Sequence, residues 1–132
     1  MSLLTPELRA ALREQYRSDA PDKRPLVKLF HPLSAATWLA SELAEDGDAL
    51  FGLADLGFGC PELGWFSLSE IEALRLPYGL RIERDLHFAT DLPLTAWADW
   101  ARKAGSILWA EALLRRAKGT ASDLADRFPP SG

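Results

Sequence analysis

The stretch TWLASELAEDGDALFGLADL, residues 37–56, decides the fold. Two apolar runs, Thr37–Leu43 and Ala49–Leu56, flank a polar segment that contains Asp46 and Gly47. An Asp-Gly pair between two such runs indicates a hairpin, because glycine adopts the positive φ of the turn at no steric cost. We therefore predict two adjacent antiparallel strands in the middle of the chain.

Three further short strands are predicted on either side of this hairpin. Leu26–Phe30 is a β-type run that Pro32 ends, and Glu62–Phe66 follows a glycine-rich loop. In Leu80–Phe88, alternate residues are mostly apolar on one face and polar on the other, which is typical of a half-buried strand.

Capping signals predict two helices in the same region. Thr5 and Pro6 are a helix start, because threonine caps the first turn and proline suits the first helical position. Ser67 and Glu70 have the spacing of a capping box, so a second helix is expected to run from there to about Leu76.

The longest helical stretch is Pro93–Lys118, and Gly105 weakens its middle at a point where the helix can divide. One stripe at helical spacing carries the apolar residues expected to pack on the core: Trp97, Trp100, Ala101, Ala104, Ile107 and Leu108. Trp109 and Leu113 fall off this stripe. They form either an exposed patch that binds a partner, with Arg102 and Arg116 beside it, or a contact with the N-terminal helix.

This order of elements predicts an α+β fold in a single domain. A mainly antiparallel sheet of about five short strands is expected to be covered by helices on one face, with a long C-terminal helix. Residues 1–92 would form the α+β core, residues 93–119 a helical extension of the same domain, and residues 120–132 a frayed tail.

Composition places the chain among ordinary globular proteins. Of its 132 residues, 48% are hydrophobic and 26% are charged, and the single cysteine excludes an internal disulfide framework. No apolar run approaches the roughly 20 residues of a membrane span, and charges come too early for a secretory signal. We therefore expect a soluble, cytoplasmic protein without membrane contact.

The net charge of −4 is unevenly distributed. Residues 26–92 hold four basic and eleven acidic side chains, whereas both ends of the chain have a basic excess. Because DNA binding requires clustered Lys and Arg, the acidic core argues against nucleic acid, and an alternative nucleic-acid role would use the ends. The candidate residues for it are Arg9, Arg13, Arg17, Arg102, Arg115 and Arg116.

Motifs for nucleotide binding and nucleophilic catalysis are missing from the sequence. Gly57-Phe58-Gly59 lacks the lysine of a phosphate-binding loop, and no serine stands in a nucleophile elbow. His31 and His87 lack a second histidine at metal-ligand spacing, so we interpret both as surface or structural residues. These observations favour a protein that is not an enzyme and needs no cofactor.

Carboxylates provide the one chemical alternative. Five lie on or near predicted strands: Glu42, Asp55, Glu62, Glu83 and Asp85. If three of them converge on one sheet face, they could hold Mg²⁺ or Mn²⁺. The alternative function is then a metal-dependent hydrolase or nuclease that uses Glu42, Glu62, Glu83 and Asp85. We favour the other interpretation, a solvated face with cross-strand ion pairs. Arg84 lies on the apolar side of the last strand, and Glu42 or Glu62 would be its partner.

Several ordered motifs together resemble a known family. They are Leu3-Leu4-Thr5, Glu7-Leu8-Arg9, Val27-Lys28-Leu29-Phe30, Thr37-Trp38, Leu50-Phe51-Gly52, Glu62-Leu63-Gly64-Trp65-Phe66-Ser67-Leu68, Gly79-Leu80 and Ile82-Glu83-Arg84-Asp85. Over roughly residues 3 to 90 the chain resembles the bacterial family "domain of unknown function 2958". Trp65 stands where a tyrosine is expected, and the helix after Pro93 would extend beyond the family's usual end.

The resemblance implies a context and no chemistry. Members of that family are small proteins often encoded on plasmids, integrative elements and phages, and none of them supplies an activity to carry over. We therefore expect a non-catalytic interaction or accessory module of a bacterial mobile genetic element. It would bind a protein partner or itself through the C-terminal helix or an exposed sheet edge.

Overall fold

The structure, a computed structural model, describes residues 2–127, with side chains placed up to residue 119. The elements in chain order are α1 (Pro6–Arg17), β1 (Val27–Phe30), β2 (Thr37–Leu43), β3 (Ala49–Asp55), β4 (Glu62–Ser67), α2 (Leu68–Ala73), a 3₁₀ turn (Pro77–Gly79), β5 (Glu83–Arg84), α3 (Leu94–Ala104) and α4 (Ile107–Arg127). The fold is α+β, as the sequence predicts.

All five strands form one antiparallel sheet in the order β4-β3-β2-β1-β5. The predicted hairpin joins β2 to β3, and Gly47 has a φ of +74° in its turn. The Asp46 carboxylate accepts hydrogen bonds from the backbone N–H groups of Asp48 and Ala49, at 2.9 and 3.0 Å. These bonds hold the loop, so the stretch that decides the fold also fixes its own turn.

Helices cover both faces of the sheet, so the expectation of a single covered face is wrong. Trp38 and Leu39 are successive residues of β2 and point to opposite faces. Trp38 packs in a cluster with α1 and α2, whereas Leu39 packs in a second cluster with α3 and α4. The reason is that β2 carries apolar side chains on both of its faces, and such a strand must be buried on both sides.

The last strand is much shorter than predicted. Only Glu83–Arg84 pair with β1, although Leu80–Phe88 has the alternation of a strand. Asp85 makes one more backbone bond, from its N–H to the Lys28 carbonyl. Its Oδ1 then accepts the His87 N–H at 2.9 Å, which forms a local turn and ends the pairing. The second helix also ends early, because Leu74 is already extended.

Gly105 divides the C-terminal helical stretch. It has a left-handed φ of +93°, a conformation that glycine adopts without strain, and it ends α3. The predicted apolar stripe is wrong at one position on each side of this break. In α3 the buried face is centred on Trp97 and Ala98, so Trp100 lies off it, and in α4 the break resets the helical phase. Trp100 and Leu108 are exposed, and Ala98 and Ala110 are buried in their place.

The backbone of α4 continues to Arg127, so residues 120–127 of the expected frayed tail are helical. The rest of that tail, residues 128–132, lies outside the described residues. Within residues 2–127, no helix combines the length and the apolarity that a bilayer crossing requires.

Asp55 connects α4 to the sheet. It is the last residue of β3 and is fully buried. Its Oδ2 accepts a hydrogen bond from the Ile107 N–H at 2.9 Å, and its Oδ1 accepts one from the Gly57 N–H at the same distance. A carboxylate at a helix N-terminus is favourable, because the first-turn N–H groups lack helical partners and the dipole is positive there. Asp55 thereby anchors the first residue of α4 to the end of β3.

We expect Asp55→Asn to lower the free energy of unfolding by roughly 2 kcal/mol in a urea titration. The amide keeps only one acceptor oxygen, so one of the two buried N–H groups loses its partner. Asp99→Asn is the control, because Asp99 is exposed on α3, and we expect it to change stability by less than about 0.5 kcal/mol. Equal effects of the two variants would contradict the anchoring role.

Candidate functional site

Three segments meet at one end of the sheet. They are the β1–β2 turn (residues 31–36), the β3–β4 loop (residues 56–61) and the first turns of α4. A Cβ built on Gly57 would lie 4.0 Å from the Ala35 Cβ, which places the turn beside the loop. The two bonds of Asp55 join the same loop to the start of α4.

Large apolar side chains are exposed on all three segments. They are Leu33 in the turn, Leu56 and Phe58 in the loop, and Leu108, Trp109 and Leu113 on α4. We name this set the loop-end surface. Phe58 is 84% exposed and Trp109 is 67% exposed, which is unusual for aromatic side chains of a folded domain. Single exposed apolar residues are common, so the feature to note is that these six lie on three neighbouring segments at one end of the sheet.

Trp109 and Leu113 do not contact the N-terminal helix. They are separated by one helical turn, and Leu113 is 40% exposed. α1 packs instead on the opposite side of the sheet, in the cluster of Trp38 and Leu29. Of the two interpretations open from the sequence, the structure therefore favours the exposed patch.

A cleft of about 510 Å³ opens next to the loop-end surface. Residues of the β1–β2 turn, β1, the segment after β5 and α4 line it, among them His31, Thr37, Asp85, His87 and Leu108. The His31 Nδ1 accepts the Leu33 N–H at 3.0 Å and thus stabilises the turn. His87 is exposed at the rim.

Lys28 lies in this cleft at the centre of an ion-pair network. Its side chain is buried, and its Nζ donates to Glu111 Oε1 at 2.7 Å and lies 3.6 Å from Asp85 Oδ2. Arg115 lies 3.6 Å from the same Glu111 oxygen. Two cations and two carboxylates alternate, so the network is balanced, and it fastens α4 to β1.

The predicted carboxylates do not gather. Glu62 and Glu83 lie on the two edge strands, β4 and β5, which are roughly 19 Å apart at ~4.8 Å per strand. Glu42 pairs with Lys23 at 3.1 Å, and Asp85 belongs to the Lys28 network. Among the described residues, no three His, Cys, Asp or Glu side chains form a group that could hold a metal ion.

Arg84 has a different partner from the one expected. Its Nε donates to the Leu3 carbonyl at 2.8 Å, and neither Glu42 nor Glu62 contacts it. The expectation of a carboxylate was wrong because a backbone carbonyl from the N-terminal segment satisfies the guanidinium. Arg84 therefore ties the N-terminus to β5.

The arginines of α1 face an acidic loop of their own chain. Arg17 donates to both Glu45 oxygens, at 2.5 and 2.8 Å, and this hydrogen bond lowers the pKa of Glu45 and raises that of Arg17. Arg9 donates to the Gly47 carbonyl at 3.3 Å. The β2–β3 loop thus offsets the positive charge of α1, and this argues against α1 as a nucleic-acid surface.

Backbone and hydroxyl donors also hold the carboxylates of that loop in the ionised form. The Ser67 hydroxyl, followed by the Ser69 N–H, lowers the pKa of Asp48. The N–H groups of Ala49 and then Asp48 lower the pKa of Asp46. The Asp46 and Asp48 carboxylates therefore stay ionised to lower pH than free aspartates.

Sequence reasoning missed Phe58, Leu33, Lys28 and Glu111. Loop residues have no periodicity, so nothing in the pattern marks Phe58 and Leu33 as neighbours of α4. Lys28 and Glu111 are 83 residues apart, and only the packing of α4 on β1 brings them together. The one available signal was Lys28 itself, a charged residue inside an apolar run.

Comparison with known proteins identifies a family and nothing closer. Residues 3–108 match the family model described as "Protein of unknown function (DUF2958)". This match extends past residue 90 and includes α3, which the sequence resemblance placed beyond the family's end. Neither a curated protein nor a solved structure shows significant similarity to the chain. Because the match covers most of the sequence, the chain belongs to the DUF2958 family of proteins of unknown function.

Proposed function

We propose that the protein is a non-catalytic interaction module of a bacterial mobile genetic element, and that it binds a protein partner through the loop-end surface. The observation that carries this proposal is the exposure of Phe58, Trp109 and their apolar neighbours at one end of the sheet. Transferring such side chains from water into a contact is favourable by about 25 cal/mol per Å² of apolar area.

Two features of the fold support a docking role. The surface is built on a rigid base, since Asp55 and the Lys28–Glu111 pair hold α4 in place. It is also contributed by separate segments, so it is presented by the tertiary structure and not by one frayed helix. Aromatic anchors on a fixed scaffold are typical of the energetic centres of protein interfaces.

The double variant Trp109→Ala/Leu113→Asp is expected to lose the partner while keeping the fold. Tagged protein would be recovered from bacteria that carry the encoding element, and the bound partner quantified by mass spectrometry. We expect at least a tenfold loss of the partner, because truncating two neighbouring anchors costs more than about 1.4 kcal/mol. Melting temperatures would verify that both proteins are folded.

The matched control is Tyr78→Ala/Leu74→Asp. Leu74 is 43% exposed, close to the value for Leu113, and Tyr78 is an exposed aromatic residue outside the loop-end surface. We expect this control to retain the partner at the native level. A partner that both variants lose equally, or that neither loses, would contradict the proposed function.

A further inference from the structure

The charge around Trp109 differs in sign from that of the rest of the molecule. Residues 100–118 contain one acidic residue, Glu111, and five basic ones: Arg102, Lys103, Arg115, Arg116 and Lys118. The whole chain nevertheless has a net charge of −4. The cations are therefore concentrated on the end of α3 and on α4, next to the apolar side chains of the loop-end surface.

These cations are largely available to a partner. Arg102 lies 3.7 Å from Asp99, and both side chains are more than half exposed. Such exposed pairs contribute little, about 0–1 kcal/mol. Arg115 is exposed and lies 3.6 Å from Glu111, but that carboxylate already accepts the shorter bond from Lys28. Glu111 is thus engaged by Lys28, whereas Asp99 remains exposed beside Arg102.

Helical geometry places charge and apolar surface on the same side. Residues 109, 113 and 116 are separated by four and seven positions, so Trp109, Leu113 and Arg116 share one face of α4. Arg102, on α3, lies beside the β3–β4 loop, where it lines a depression with Gly59, Glu62 and Leu63. Cations therefore lie both next to the apolar side chains of α4 and beside the loop that carries Phe58.

We infer that the occupant of the loop-end surface is an acidic amphipathic segment of another protein. This inference rests on the proposed function and adds the chemistry of the partner. The apolar side chains of the segment would contact Trp109, Leu113 and Phe58, and its carboxylates would pair with Arg102 and Arg116. Such complementarity speeds encounter and rejects basic partners.

Nucleic acid fits the same surface less well. Phosphates would pair with the cations, but they would leave Leu33, Leu56 and Phe58 in water. DNA affinity also depends on the number of phosphates that a protein neutralises, and the acidic core of this chain adds no further cations to the five of this region. An acidic peptide satisfies both the charged and the apolar parts of the surface.

The test selects ligands without assuming a natural one. The full-length chain would be screened against a displayed library of random 16-residue peptides, and synthetic labelled peptides from the selection would be titrated by fluorescence anisotropy. We expect the selected peptides to combine Asp and Glu with Leu, Phe or Trp. Arg102→Glu/Arg116→Glu should weaken their binding at least tenfold, and Arg75→Glu/Arg81→Glu, which reverses two exposed arginines elsewhere, should not.

The outcomes separate this inference from the proposed function. Suppose that the selected peptides require Trp109 and Leu113 and yet are neutral or basic, with an affinity that Arg102→Glu/Arg116→Glu leaves unchanged. That result overturns the inference and leaves the proposed function standing. A selection without any Trp109-dependent peptide contradicts both. Binding of a labelled 20-nucleotide DNA that is lost in Arg102→Glu/Arg116→Glu, without peptide binding, assigns the surface to nucleic acid. If the molar mass of the native chain in solution rises with concentration, and Trp109→Ala abolishes this rise, the loop-end surface binds a second copy of the chain.

Discussion

Replacement of Gly52 by alanine is expected to destabilise the protein by more than about 4 kcal/mol, a large fraction of the 5–15 kcal/mol that typically separates folded and unfolded states. A Cβ at this position would lie 1.8 Å from the Leu39 carbonyl oxygen and 2.9 Å from the Ala40 Cα. Both are backbone atoms of the neighbouring strand β2, so no rotamer change can relieve the clash. Soluble yield and the far-UV circular dichroism spectrum would report the loss of the folded state.

Gly64→Ala is the matched control for this prediction. Gly64 is the partner of Gly52 across β3 and β4, and a Cβ built on it meets no atom within 4 Å. We expect a change of less than about 0.5 kcal/mol in either direction. A Gly52→Ala protein that unfolds at the same urea concentration as the Gly64→Ala protein would show that β2 and β3 are not in close contact at this point.

Lys28→Met is expected to lower the free energy of unfolding by roughly 3 kcal/mol. Methionine preserves the length of the side chain but removes the ammonium, which leaves Glu111 and Asp85 without the cation that both face. Removing one partner of a buried ion pair costs more than the pair contributes, because the remaining charge is poorly solvated. Guanidinium titrations of the two proteins would measure the difference.

A second substitution distinguishes a lost ion pair from lost packing. In Lys28→Met/Glu111→Leu, the closer of the two carboxylates is also removed while Asp85 remains, and we expect at least half of the lost stability to return. Arg102→Met, at an exposed pair, should change stability by less than about 0.5 kcal/mol. If the double variant is as unstable as the sum of the two single variants, Lys28 and Glu111 do not interact.

Local signals account for the parts of the fold that the sequence predicts correctly. The hairpin follows from Asp46-Gly47, and the starts of α1 and α2 follow from Thr5 and Ser67, whose side chains accept the N–H groups of Leu8 and Glu70. Each of these features depends on residues a few positions apart. The alternation that predicts a nine-residue β5 is also local. The length of a strand, however, depends on the neighbour with which it pairs, and β1 has only four residues, so β5 is shorter than predicted.

The candidate site was predictable on the helix and not in the loops. Trp109 and Leu113 are off the apolar stripe, and this departure from periodicity is visible in the sequence. Phe58 and Leu33 join them only because Asp55 brings α4 to the end of β3. The expectation that the carboxylates converge was wrong because it depended on strand order, which a single sequence leaves open. The observed order puts Glu62 and Glu83 at opposite edges of the sheet.

Site-specific photo-crosslinking would show whether the loop-end surface contacts a protein. A benzophenone analogue of phenylalanine would replace Trp109 or Phe58 in one set of proteins and the exposed Tyr78 in the control, each expressed in cells of the native host. We expect a discrete adduct of the same mass from positions 109 and 58 and none from position 78. Adducts from position 78 alone, or no adduct from positions 109 and 58 at native expression levels, would contradict it.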